Sequence, residues 1–314
     1  MLFRTEIKLK TEKQSISYSS KILLIGSCFS QNIGDKLAYY KLDVFTNPLG
    51  VLFHPKAIEN VLVSAINDRK YTESDLVFQN ERWHCLDAHS DYSHSDKNKV
   101  LVQVNTSLQK TKTHMQTASH ILITLGTSWV YQYNKSNSYV ANCHKISQKE
   151  FQKKILSVNE IVQSLQKIKS VIHQENPKTT IIFTVSPVRH IKDGFVENQQ
   201  SKAHLLTAIH QVTQNNVFYF PAYEIMMDDL RDYRFYKKDM IHPNETAVDY
   251  IWRKFTHTWM DLNTLEIFKE VVKIQKGLAH RPFDKQSKSH QIFLGNLTRR
   301  IDVLKEKGVL FNES

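Results

Sequence analysis

"KILLIGSCFSQNIGDKL" (residues 21–37) passes from a continuously apolar run through Gly26 into a polar segment with helical patterning. Unbroken apolarity without alternation is how a strand buried on both faces of a parallel sheet reads. Glycine ends the strand, and the small polar residues before "QNIGDKLAYY" open a helix. In an open α/β sheet such a turn stands in the crevice at the carboxyl ends of the strands, where ligands bind. Ser27 and Cys28 both occupy it. A cysteine at the first N–H groups of a helix is expected to have a lowered pKa, because their partial positive charge favours the thiolate. A serine there needs a neighbouring base. Ser27 serves equally well as a helix cap and Cys28 as core packing, so the stretch alone leaves both readings open.

Further β-rich runs lie at 42–46, 99–104, 120–126, 179–186 and 216–221, and those at 120–126 and 179–186 are again apolar throughout. Helical patterns occupy 55–67, 147–168, 201–212 and 245–259. Strands alternating with helices predict an α/β three-layer sandwich with a mostly parallel central sheet, extending over residues 1–262. Residues 72–98 interrupt the rhythm. There "DLVFQNERWHCL" alternates around "QNE", which predicts a small β-hairpin insertion that could act as a lid. Residues 263–314 read as amphipathic helices packed on the main unit.

Hydrophobic residues at 41% and charged residues at 23% describe a globular chain and exclude a disordered one. "MLFRTEIKLKTEKQ" lacks the apolar core of a leader, and no run approaches membrane-spanning length, so a cytoplasmic protein with no membrane partner is expected. Cys28, Cys85 and Cys143 lie far apart, which fits a reducing compartment and no disulfide framework. The formal charge is +11, but the lysines are dispersed among acidic neighbours and no nucleic-acid motif occurs. A small anionic substrate would be favoured by the same field.

"YKKDMIHPNETAVDYIW" (236–252) carries Asp239 and His242 three residues apart, just before a helix. A carboxylate on one ring nitrogen leaves the other free to face a nucleophile. With a nucleophile turn after the first strand, this D-x-x-H near the end of the α/β unit resembles the SGNH (GDSL-type) hydrolase superfamily. "GSCFS" further resembles the motif of the bacterial GSCFA family, as do "NPLG" (47–50), "LGTSWVY" (125–131), "NCHK" (142–145), "SPVRH" (186–190), "LRDYRFYKKDMIHP" (230–243) and "RPFD" (281–284). The resemblance implies a flavodoxin-like sandwich and a relay of nucleophile, His242 and Asp239. The GDSL serine is the second residue after the glycine, a position taken here by Cys28, with Ser27 as the alternative nucleophile. The superfamily adds oxyanion donors from a glycine and an asparagine. Gly50, in the stretch that begins at Asn47, is the glycine expected. Thr127 and Ser128 stand where the asparagine would be, and Asn142 is the substitute.

Two clusters remain. "RWHCLDAHSDYSHSD" (82–96) mixes histidine, cysteine and aspartate, but its spacing matches no standard zinc site and no metal is expected. Arg189 and His190 follow a buried strand, so both are expected beside the crevice, where the guanidinium fork suits a carboxylate or phosphate. The reading is an acyl-ester hydrolase or O-acyltransferase that forms a covalent acyl-enzyme on a small or carbohydrate substrate. No cofactor is expected, and acyl-CoA is a compatible donor. The alternative is a binding protein without turnover, reading an anionic sugar or nucleotide through Arg189, His144 and Lys145.

Overall fold

β1 (Lys21–Gly26) stops at a position that tolerates no side chain. Gly26 has φ +142°, and a Cβ there would lie 2.2 Å from the Thr124 carbonyl oxygen. The chain turns, and α1 (Cys28–Tyr39) starts on a Ser27 cap. β2 (Asp43–Thr46) returns parallel to β1, and α2 (Pro55–Ile66) begins with proline in its first turn, where no N–H is missed. The computed structural model describes residues 4–311, so the outer ends of the 1–262 and 263–314 units lie outside it.

The expected hairpin is present. β3 (Leu76–Gln79) and β4 (Arg82–Cys85) pair antiparallel around Asn80 and Glu81, with φ +48° and +59°. Positive φ at both central residues is what a tight type I′ turn requires. The run at 99–104 is not a strand, because it lies inside α3 (Lys97–Thr117). Its valines fit the helix: Val100 and Val104 are buried one turn apart while Val102 is exposed.

β5 (His120–Leu125) is followed by a third sheet, beside the central one and the hairpin, where the sequence pattern shows no strands. β6 (Trp129–Tyr133), β7 (Ser138–Val140) and β8 (Phe151–Ile155) form an antiparallel trio in the order β7-β6-β8. The helix expected over 147–168 is therefore shorter and shifted. α4 (Val158–Glu175) starts on the Ser157–Glu160 capping box, and 151–155 pairs with β6 instead. The chain continues through β9 (Thr180–Val185), α5 (Phe195–Val212), β10 (Val217–Tyr219) and the short α6 (Ala222–Glu224). α7 (Glu245–Trp259), α8 (Leu262–Leu278) and α9 (Lys288–Glu306) complete the described chain.

The central sheet has the order β10-β9-β5-β1-β2 and is parallel throughout. Strand order reverses between β1 and β5, so the ligand crevice of such a sheet opens at their carboxyl ends. Successive β1 side chains enter different cores. Leu23 and Ile25 pack with residues of α2, α3, α4 and α5; Ile22 and Leu24 pack with residues of α1 and α7. This is the three-layer sandwich. Phe268 of α8 joins the second core, where Tyr40 stacks on it at 4.1 Å, and α9 rests on α8 through Leu297 and Leu304. Among the described residues no helix is long and apolar enough to cross a membrane.

Gly26→Ala should destabilise the protein by about 3 kcal/mol, since both the positive φ and the Thr124 carbonyl oppose a Cβ. Urea unfolding with an unchanged m-value would register this as a lower midpoint.

Candidate active site

The turn after β1 divides its two residues by burial. Ser27 is fully buried; its N–H donates to Thr124 O at 3.0 Å and its Oγ accepts from Phe29 N at 3.3 Å. That is an N-cap, with its oxygen engaged. Cys28 is the first residue of α1 and is half-buried. Its thiol departs from the lowered pKa expected from sequence. Burial pushes it up, outweighing the Cys28 and Phe29 amides and the Lys202 and Lys237 ammonium groups, which all favour the thiolate.

The Asp–His loop is tightly wired. His242 Nδ1 lies 2.7 Å from Asp239 Oδ2, and Asp239 Oδ1 accepts from Ile241 N at 2.8 Å and His242 N at 3.0 Å. These bonds, led by the His242 amide, hold the Asp239 carboxyl well below the usual carboxylate range. With Nδ1–H donating to the carboxylate, Nε2 is the acceptor nitrogen, and it bonds to no described residue. Asn244 fixes the exit of the loop by capping α7 through Ala247 N. From the other side Arg189 N donates to Ile241 O at 3.1 Å, and Arg189 Nη1 donates to Met240 O at 2.9 Å. Arg189 follows β9, so the loop is fastened to the carboxyl end of the central sheet.

Lys202 was not anticipated. It sits in α5 at 1% exposure, and its Nζ donates to Gly126 O at 2.7 Å and Ser186 O at 2.8 Å. Those carbonyls come immediately after β5 and β9, so one ammonium ties the ends of two central strands. Burial lowers its pKa from an ordinary 10.5 to about 7, while Cys28 acts in the opposite direction. His190 lies against Gly126, where an added Cβ would meet its Nε2 at 2.9 Å. That Nε2 is buried without a partner, and burial, then Lys202 and His242, lowers the ring's pKa to about 3. Cys28, Lys202, His190 and His242 thus form one electrostatic neighbourhood at the crevice. Among the described residues no hydrogen bond joins the Cys28 sulfur to His242.

The expected oxyanion donors are otherwise engaged. Gly50 N donates to Asn47 O at 2.8 Å within a turn, at φ +77°. Asn47 accepts from Gly26 N and donates to Gln31. Thr127 N donates to Phe53 O, and Ser128 N donates to Ser201 Oγ at 2.7 Å. The Gly50, Thr127 and Ser128 amides are thus used within the fold, whereas the second N–H of Asn47 Nδ2 bonds to no described residue. Asn142 accepts from His144 N, and His144 stacks on His84 at 4.5 Å with Nε2 on Cys85 O. Both belong to the hairpin side of the molecule, as does the adjoining Lys145, and no hydrogen bond links this loop to Cys28. The backbone N–H of Cys28 itself, at the open end of α1, is the donor left at the turn.

The histidines of 82–96 are also used locally: His84 lies between Ser93 Oγ and Gln79 O, His89 pairs with Asp91, and His94 accepts from Asp96 N. Among the described residues no group of three or more His, Cys, Asp or Glu side chains could hold a metal ion.

The model of the GSCFA family matches residues 21–255, and that of the GSCFA domain protein, C-terminal domain, matches 271–313. The chain belongs to the GSCFA family. No curated protein matches it significantly. Among solved structures, this GSCFA chain is similar to an acetyl esterase mutant with acetate ion, at 10% identity and TM-score 0.39, over 80% of this chain and 99% of that one. It is also similar to a carbohydrate esterase family 3 protein from Talaromyces cellulolyticus, at 9% identity and TM-score 0.36, with coverage of 80% and 99%. An acetyl xylan esterase from Butyrivibrio proteoclasticus gives 10%, 0.37 and coverage of 84% and 65%.

Lys202 gives the site a pH signature. Between about 7 and 10.5 the unfolded chain binds a proton that the folded one does not, so native stability should rise with pH through that window. In Lys202→Met this rise should disappear from a series of melting curves. The same variant should alkylate Cys28 with iodoacetamide several-fold more slowly at pH 6, where Lys202 is still protonated, because the thiolate loses a buried cation.

Proposed function

We propose that this GSCFA protein transfers acyl groups from esters to water or to a second hydroxyl, through a thioester on Cys28. The observation that carries this reading is the Asp239–His242 pair, with Nε2 unengaged and its loop fastened by Arg189 to the same sheet end where Cys28 opens α1. In this scheme Nε2 removes the Cys28 proton as sulfur attacks the ester carbonyl carbon. The Asp239 carboxylate holds Nδ1–H and balances the imidazolium that results. The Cys28 N–H donates to the oxyanion. Collapse breaks the C–O bond, and the imidazolium returns its proton to the departing alkoxide. Water or an acceptor hydroxyl then attacks the thioester carbonyl, giving up its proton to Nε2; the C–S bond breaks and the departing sulfur takes that proton back from the imidazolium, restoring the thiol.

The hydrogen bond missing between Cys28 and His242 is not an obstacle, since such bonds often tighten only in the substrate complex. A raised thiol pKa also fits concerted proton transfer better than a standing thiolate. Acyl thioesters, among them acyl-CoA, suit a sulfur nucleophile because thiol–thioester exchange replaces one C–S bond by another. Carbohydrate O-acyl groups are the proposed ester class, by analogy with the SGNH superfamily. That the Gly50, Thr127 and Ser128 amides are already hydrogen-bonded within the fold favours the second reading, a binding protein without turnover.

Incubation with 4-nitrophenyl acetate and with acetyl-CoA separates the two. The wild type should show an acyl adduct by intact mass, and Cys28→Ala should lose the adduct and about 10³-fold or more of kcat/KM. Ser27→Ala should keep the adduct while losing about 1 kcal/mol of stability with its cap. Equal behaviour of all three proteins, with no adduct, would leave the binding reading.

A further inference from the structure

Beside the Asp239–His242 loop lies a cavity of about 230 Å³, walled by Phe195, Met226, Met227, Tyr233 and Tyr236 and reached by Arg189. The Arg189 guanidinium carbon is 5.1 Å from the Phe195 ring centroid, 5.6 Å from that of Tyr233 and 5.3 Å from that of Tyr236. Among the described residues no carboxylate lies within ion-pair distance of it, and its one side-chain hydrogen bond goes to Met240 O. Ring faces offset part of the cost of holding a cation there, but the remaining guanidinium N–H groups have no acceptor among the described residues.

The other polar groups of the cavity repeat this bias towards donors. Asn198 Oδ1 accepts from His190 N and Gln199 Oε1 accepts from Tyr223 OH. Each amide thus has its acceptor engaged, while its NH₂ bonds to no described group. The nearby acid, Asp232, is tied to the Arg234 backbone and guanidinium, and Arg231 faces Asp228 at 3.5 Å. One uncompensated positive charge, amide donors and apolar walls suit a monoanion with a flat apolar body. A phosphate dianion would find too little charge.

We propose that this cavity is the recognition site for a carboxylate-bearing group, whose carboxylate lies on Arg189 and whose body lies against the aromatic and methionine walls. This deepens the acyl-transfer reading and rests on it for one point: the carboxylate would belong to the substrate and bring its ester to His242 and Cys28.

Calorimetric titration of the full chain with benzoate and with benzamide tests the site without turnover. Wild type should bind benzoate about tenfold more tightly than benzamide, with the preference shrinking in high salt. Arg189→Gln, whose amide can still donate to Met240 O, should lose the preference, and Gln199→Leu should weaken benzoate alone. Equal binding of the two probes by wild type, or an unaltered preference in Arg189→Gln, would overturn the proposal. If Arg189→Gln fails to fold by circular dichroism, the wild-type comparison and its salt dependence decide. A benzoate preference in a protein that forms no acyl adduct would retain the site and remove the acyl chemistry. Adduct formation at Cys28 without that preference would do the reverse.

Discussion

The close parallel contact of β1 with β5 at Gly26 and Thr124 governs most of what the molecule can do. A bare Cα lets the strands meet at their very ends, and the Ser27 N–H then donates to that same Thr124 carbonyl. The chain has no slack before α1 begins, so Cys28 emerges at a fixed height above the sheet. Strand order reverses at the same junction, which opens the crevice that the thiol faces. Were the strands held apart by a methyl group, the cap, the helix axis and the thiol would all shift together.

Around that junction, charge is managed by burial more than by pairing. The helix amides and two lysines favour a thiolate at Cys28, yet desolvation of the sulfur exceeds their combined effect. Lys202 responds to the same low-dielectric surroundings from the other side, held by carbonyls and by no carboxylate of the described residues. Two groups that each resist charging in isolation can share it more easily when both are charged. A substrate that excludes water from the crevice would strengthen this coupling rather than weaken it.

Much of this was legible from residues alone, because the informative signals were local. Continuous apolarity at 21–26, 120–126 and 179–186 identified the buried parallel strands, and "QNE" between alternating residues identified the hairpin. Errors arose where local pattern and tertiary pairing disagree. The β-branched run at 99–104 looks like a strand, but Val100 and Val104 are one helical turn apart and only packing reveals that face. Phe151 and Ile155 fit a helix by spacing, and β6 claims them as a strand through backbone hydrogen bonds that no side-chain pattern reports. Lys202 lies within "SKAHLL", where a lysine is ordinarily a solvated helix residue. Its burial follows from two strand ends more than 15 residues away in sequence, Gly126 and Ser186. The amides of Gly50, Thr127 and Ser128 illustrate a related point: sequence shows that a donor exists, but not whether the fold has already used it.

Ser27 and Cys28 differ by one atom in their side chains, yet the turn gives them unlike tasks. One position demands a strong acceptor for a helix amide in a space closed to solvent. The next demands a group that can reach outward. Exchanging the two letters would keep the composition of the motif while removing the cap and sealing the sulfur inside. Neutral drift through that permutation is therefore closed to this chain.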